Sequence, residues 1–76
     1  MITVKFYGLM RLESGIKELQ IEAGNLKELY ARLQEAGLDK QDLKGCCVLV
    51  NGAAAGRKTV LNHGDVVQML PPVAGG

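Results

Sequence analysis

Hydrophobic and polar side chains alternate along residues 2–7 and again along residues 18–22. A period of two, with β-branched and aromatic residues, is typical of half-buried β-strands. The connection between the two stretches, residues 8–15, is short enough to favour an antiparallel pair. The chain is therefore predicted to begin with two neighbouring antiparallel strands.

The apolar period then changes to that of a helix over residues 26–36. Asn25 is a suitable N-cap, and Glu28 three residues later completes a capping-box pattern. Gly37 suits the position that follows a helix end. The side chains that form the apolar face are Leu26, Leu29, Tyr30 and Leu33. This segment predicts the main helix.

Residues 38–44 are polar apart from two leucines and predict a loop with room for one short helical turn. Residues 46–50 are apolar and β-prone, and the Asn51-Gly52 pair after them is a strong signal for a tight hairpin. Residues 53–59 are weakly patterned, and we expect a short edge strand within them.

A turn at residues 62–65 leads into a final strand at residues 66–70, which Pro71 ends because it has no N–H group. A single main helix covers one face of such a sheet, and parallel connections are right-handed. The compact solution is an α+β fold of the β-grasp type. Its mixed sheet has the first and last strands as parallel central neighbours and the helix packed across one face. We expect residues 1–76 to be one domain.

Alternation along the last strand predicts which side chains meet the helix. Val67 and Met69 are expected in the core, and Val66, Gln68 and Leu70 on the opposite face. Apolar residues in a row on an outward face suggest a docking surface for another protein. The alternative is that connecting loops cover them.

Composition and charge exclude several classes of protein. The hydrophobic fraction of 47% argues against disorder, and a net charge of +1 with few aromatic residues argues against nucleic-acid binding. Apolar runs are far too short to cross a bilayer, and the amino end lacks the apolar block of a signal peptide. We expect a cytoplasmic protein that binds neither nucleic acid nor membrane.

The chain offers few groups for catalysis. One histidine and two adjacent cysteines are too few ligands for a metal site. Cys46 and Cys47 are expected to point to opposite faces of a strand and not to pair; we interpret them as small core residues, with a sulfur relay as the alternative. His63 is expected to be solvated in its turn. We recognise no nucleophile–base set and no phosphate-binding glycine spacing.

The chemistry is expected at the carboxyl end, in residues 71–76. Two prolines make a stiff, extended exit from the sheet, and two small residues and Gly75-Gly76 complete a thin thread. Such a thread can enter a narrow active site of another protein and present the Gly76 carboxylate. This group is inert to acyl transfer until it is activated. The alternative is an ordinary frayed terminus.

Four segments carry a resemblance to a known family: residues 6–11 (FYGLMR), 50–52 (VNG), 64–67 (GDVV) and 71–76 (PPVAGG). With the predicted fold, they resemble the MoaD/ThiS family of ubiquitin-like sulfur carriers, and molybdopterin synthase small subunits most closely. The proline pair favours this branch over the thiamine branch.

The resemblance implies a mechanism. A ubiquitin-activating-type partner uses ATP to adenylate the Gly76 carboxylate, and a persulfide then displaces AMP to leave a C-terminal thiocarboxylate (thioglycine). The molybdopterin synthase large subunit accepts this sulfur. The chain itself would bind no cofactor and have no active site, and Gly75 would stand next to the reacting group. The residues expected to contact partners are Arg11, Val66, Gln68, Leu70, Pro71, Pro72, Val73 and Ala74.

Three other functions stay open on the sequence alone. The carrier could supply thiamine, cysteine or another thio-metabolite. It could be a protein modifier that is conjugated to lysines through Gly76. It could also be a binding module of the same fold whose tail is inert.

Overall fold

The fold is a five-stranded mixed sheet with a helix across one face. A computed structural model describes residues 1–8, 15–56 and 58–71. The elements in chain order are β1 (Ile2–Phe6), β2 (Glu18–Ile21), α1 (Leu26–Glu35), α2 (Lys40–Gly45), β3 (Cys47–Val50), β4 (Ala53–Ala54) and β5 (Val66–Leu70). The strand order is β2-β1-β5-β3-β4. β1 and β5 are parallel and the other pairs antiparallel, which confirms the predicted β-grasp.

The core lies between α1 and the sheet. Alternate residues of β1 and β5 and the apolar stripe of α1 are almost completely buried there, and each such aliphatic side chain contributes about 1.5–3 kcal/mol of transfer free energy. The core residues are Ile2, Val4, Phe6, Leu26, Leu29, Leu33, Leu38, Leu43, Val48, Leu61, Val67 and Met69. The predicted burial of Val67 and Met69 is confirmed.

Both ends of α1 are capped much as predicted, the amino end by two side chains and the carboxyl end by backbone groups. Asn25 Oδ1 accepts the amide of Glu28 at 2.8 Å. The Glu28 carboxylate accepts the amide of Gly24 at 2.8 Å, one residue before the position that a standard capping box uses. Ala36 is the C-cap, so the helix stops one residue earlier than expected. Gly37 follows with φ of 103°, the left-handed conformation predicted for it.

The segment between α1 and β3, predicted as a loop with room for one short helical turn, contains the six-residue helix α2, which is longer than that turn. Asp39 caps this helix by accepting the amide of Gln41 at 2.7 Å. Leu43 anchors it in the core. Cys46 is the C-cap of α2, and its amide donates to the carbonyl of Leu43, so β3 starts at Cys47 and not at Cys46.

The two predicted turns of the second half are present. Asn51 and Gly52, with φ of 50° and 85°, join β3 to β4 in a tight hairpin. β4 lies at the sheet edge, as expected. In the turn before β5, the amide of Asp65 donates to the carbonyl of Asn62 at 3.0 Å. Neither helix of the described segments is long and apolar enough to cross a membrane.

Candidate functional site at the carboxyl end of β5

The two central strands end together at one edge of the sheet. Because β1 and β5 are parallel, Phe6 pairs with Met69 near the ends of both strands. One residue further on, the amide of Tyr7 donates to the carbonyl of Met69 at 3.2 Å. Pro71 then ends the ladder, since it has no N–H to donate. The last six residues of the chain therefore start from this edge.

Gly8 forms the support for the first residue of the tail. It follows β1 with φ of 68°, a conformation that favours glycine. A Cβ at this position would lie 2.9 Å from Pro71 Cγ and 3.3 Å from both Pro71 Cβ and Pro71 Cδ. The proline ring therefore rests across the Gly8 backbone. A glycine directly after the first predicted strand is a weak sequence signal for this contact.

The outward face of β5 has the predicted side chains. Val66, Gln68 and Leu70 are half-buried, whereas Val67 and Met69 are fully buried against the helix side. The prediction of which β5 side chains face the helix and which face the other side of the sheet is therefore confirmed. We call the sheet face opposite α1 the outer face.

Neighbouring strands extend this surface, because residues paired across a ladder point to the same side of the sheet. The pairs that include outer-face residues of β5 are Thr3 with Val66, Lys5 with Gln68, Leu49 with Gln68, and Cys47 with Leu70. The outer face thus combines apolar side chains with a lysine and an amide, a composition suited to contact with a protein.

Tyr7 and Gln68 are linked on this surface close to the start of the tail. Gln68 Nε2 donates to Tyr7 Oη at 3.3 Å, in a partly buried contact. The bond joins the ends of β1 and β5 by their side chains. The alternation of the first strand placed Tyr7 on the outer face, but the sequence did not mark it as a site residue.

The prediction that both cysteines are core residues is wrong for Cys47. Cys47 is exposed and Cys46 is half-buried, and neither forms a disulfide. The reason is the strand period, which directs Cys47 to the outer face beside Leu70, where no helix covers it.

The pKa of one described carboxyl group is shifted, and this group lies away from the start of the tail. The amide of Asn62 and the side chain of Asn51 donate to the Asp65 carboxylate and lower the pKa of Asp65 below its ordinary value. Asp65 precedes β5 and is therefore at the opposite end of that strand from Pro71.

His63 is exposed as predicted, and its Nδ1 contacts the α-amino group of Met1. Within residues 1–8, 15–56 and 58–71, no cluster of three potential ligands could hold a metal ion.

Several predicted site residues lie outside the described residues. They are Arg11, Pro72, Val73, Ala74, Gly75 and Gly76. The structure brings together the remaining four, Val66, Gln68, Leu70 and Pro71, on β5 and at its end.

Comparison with known proteins agrees with this architecture. The model of the ThiS family matches residues 4–76. Subunit 1 in a complex of subunits 1 and 2 of the molybdopterin-converting factor from Helicobacter pylori is similar at 37% identity and a TM-score of 0.77, covering 99% of this chain and 97% of that one. Urm1 from Trypanosoma brucei is similar at 30% identity and a TM-score of 0.73, covering 99% and 94%.

A third similarity concerns the fold alone. Small archaeal modifier protein 1 of Haloferax volcanii has 19% identity and a TM-score of 0.83, covering 95% of this chain and 97% of that one. A search among proteins of curated function found no match.

Proposed function

The chain belongs to the ThiS family of ubiquitin-like sulfur carriers, and from this membership we propose that it carries sulfur as a thiocarboxylate on Gly76 and acts as the small subunit of a molybdopterin synthase. The observation that carries the proposal is the family match, which extends to the last residue of the chain. The 37% identity to subunit 1 of a molybdopterin-converting factor supports the choice of pathway.

The geometry at the end of β5 supports this function. The tail starts directly from a central strand, whose pairing on both sides fixes its position. Pro71 rests on Gly8, and a proline at residue 72 confines Pro71 itself to extended conformations. A rigid base of this kind reduces the entropy that a partner must remove when it binds the tail.

The proposed reaction needs little from this chain besides its carboxylate. An adenylating enzyme transfers AMP from ATP to Gly76 and releases pyrophosphate, which makes the acyl carbon electrophilic. The outer sulfur of a persulfide attacks this carbon and AMP leaves. A thiol then cleaves the sulfur–sulfur bond and releases the thiocarboxylate. We place these steps in the cytoplasm.

The outer face is the proposed docking surface for the two partners. Val66, Gln68 and Leu70 lie next to the tail, so a protein that binds them also receives the carboxyl end. The adenylating enzyme and the large subunit would use this surface in turn, as each must bring Gly76 into its own active site. The similar Helicobacter pylori chain is itself in a complex of two subunits.

Intact-mass spectrometry tests the carrier function. Incubation with the adenylating enzyme of the same organism, ATP and a sulfur donor should add roughly 16 Da, the mass change when sulfur replaces one oxygen of the activated acyl group. A variant without Gly76 is the matched control and should gain nothing. The variants Cys46→Ala and Cys47→Ala should still gain the mass, and sulfur found on a cysteine would contradict the proposal.

A second assay identifies the acceptor. The sulfur-loaded chain is mixed with the large subunit of molybdopterin synthase and the pterin precursor, and formation of the dithiolene product is followed. Product formation supports the assignment to molybdopterin synthesis. Loading without transfer would show a carrier for another acceptor, and isopeptide bonds to lysines would show a protein modifier.

A further inference from the structure

The contact between Gly8 and Pro71 carries an inference about how the tail is aimed. β1 ends at Phe6, and its parallel register with β5 brings residue 8 beside residue 71. Three ring atoms of Pro71 lie so near that a Cβ on Gly8 would be 2.9–3.3 Å from them. Real Cβ atoms essentially never lie within 3.0 Å of another heavy atom, so the ring has to shift, and because it is closed onto the backbone it has less freedom to move than an open side chain.

We propose that Gly8 is a positioning residue for sulfur loading: its missing side chain lets Pro71 seat on the sheet edge and so fixes the direction in which the tail leaves. This inference rests on the proposed function and names a residue that acts through the tail.

The physical reason is the rigidity of the first tail residue. The ring fixes φ of Pro71, so the tail can change direction there only by turning ψ or by shifting the ring. Any side chain at residue 8 shifts the ring. Pro71 is the first of the six residues that lead to Gly76, so a shift of its ring changes the point and direction from which the carboxyl end leaves the sheet.

The chain offers a matched control for backbone strain. Gly15 has φ of 72°, almost the same as the 68° of Gly8, yet a Cβ there would meet no atom of the described residues within 4 Å. The two glycines flank the same connection between β1 and β2. A side chain at Gly15 therefore adds the strain of a left-handed residue without the collision with Pro71.

The experiment compares G8A with G15A in the adenylation step. Pyrophosphate exchange with ATP and the adenylating enzyme gives kcat and KM for each variant as substrate, and thermal unfolding checks that both are folded. Misplacement by about 1 Å costs on the order of a hundredfold in rate, so we expect G8A to lose at least about tenfold in kcat/KM relative to G15A.

A substitution at Pro71 supplies a second test. P71A removes two of the three ring atoms, Cγ and Cδ, and with them the contact below 3.0 Å, so G8A/P71A should lose no more activity relative to P71A than G15A loses relative to the wild-type chain. If G8A does not fold, G8N and G15N replace the alanine pair, because asparagine takes positive φ more readily and has the same Cβ.

The outcomes separate this inference from the proposed function. If the wild-type chain is not adenylated, the proposed function fails. If the wild-type chain is adenylated but the Gly8 variants match the Gly15 variants, or the double variant shows only additive losses, the positioning role is wrong.

Discussion

The side chain of Asn51 joins the β3–β4 hairpin to Asp65 at the start of β5. Asn51 Nδ2 donates to Asp65 Oδ1 at 3.0 Å, and Asn51 Oδ1 accepts the amide of Val66 at 3.0 Å. The backbone amide of Asn51 also donates to the carbonyl of Val66 at 2.8 Å. One residue of a hairpin turn thus holds the beginning of the strand that ends at the tail.

The hydrogen bonds of Asn51 predict that two different substitutions at this residue lower the stability by different amounts. Asn51→Gly keeps the positive φ and removes the side-chain bonds, so it should lower the free energy of unfolding by about 1 kcal/mol. Asn51→Ala adds the cost of a left-handed alanine and should lose about 1 kcal/mol more. Urea unfolding measures both. Asn62→Ala, which keeps its backbone bonds, is the control, and equal losses for glycine and alanine would contradict this account.

Acid should weaken the hydrogen bond between Asn51 and Asp65. The amide of Asn62 and the side chain of Asn51 lower the pKa of Asp65 in the folded chain below the ordinary value of 3.8. A lowered pKa stabilises the fold above the unfolded pKa, and this contribution disappears as pH falls through the folded value. Thermal midpoints between about pH 5 and pH 2 should therefore fall less in Asp65→Asn than in the wild-type chain. Parallel curves would show that another carboxylate dominates the acid response.

The sequence predicted the fold because its local signals agree with one another. Asn25, Gly37 and the Asn51-Gly52 pair each demand a particular backbone geometry, and each has it in the structure. The short helix α2 was predicted only as one possible turn within a loop, because its helical signal is a single cap, Asp39, with one buried leucine in too few residues for a clear period.

The candidate site was predicted only where strand alternation applies. Val66, Gln68 and Leu70 follow from the period of two. The seat of Pro71 on Gly8 depends on the parallel register of two strands far apart in sequence, which no local pattern specifies. The exposure of Cys47 also depends on which sheet face the helix covers.

Substitutions at two adjacent residues of β5 should separate an effect on stability from an effect on partner binding. Met69 is fully buried, so Met69→Ala should lower the free energy of unfolding by about 2–5 kcal/mol. Leu70 lies half-buried on the outer face, and Leu70→Ala should cost about 1 kcal/mol or less in stability.

Substitutions of Met69 and Leu70 should also differ in their effect on partner binding. Leu70→Ala should weaken binding to the large subunit by about fivefold or more, because it removes apolar area from the proposed docking surface. Calorimetric titration measures it. Val60→Ala, at an apolar residue that is 67% exposed and outside β5, should change neither property. Unchanged affinity for Leu70→Ala would exclude the outer face as the docking surface.

The thread formed by the last residues should tolerate no branched side chain next to Gly76. Gly75→Val widens the chain and restricts its φ and ψ, so the carboxylate should no longer reach the adenylating site in its productive geometry. We expect pyrophosphate exchange to fall by about a hundredfold, with Gly75→Ala in between. Urea unfolding should be unchanged, because terminal residues make few core contacts. Val60→Ala, at an exposed residue outside the tail, is the control that should retain exchange. Full activity of Gly75→Val would mean that the partner's site is wide, and that the absence of side chains at the end of the chain has another cause.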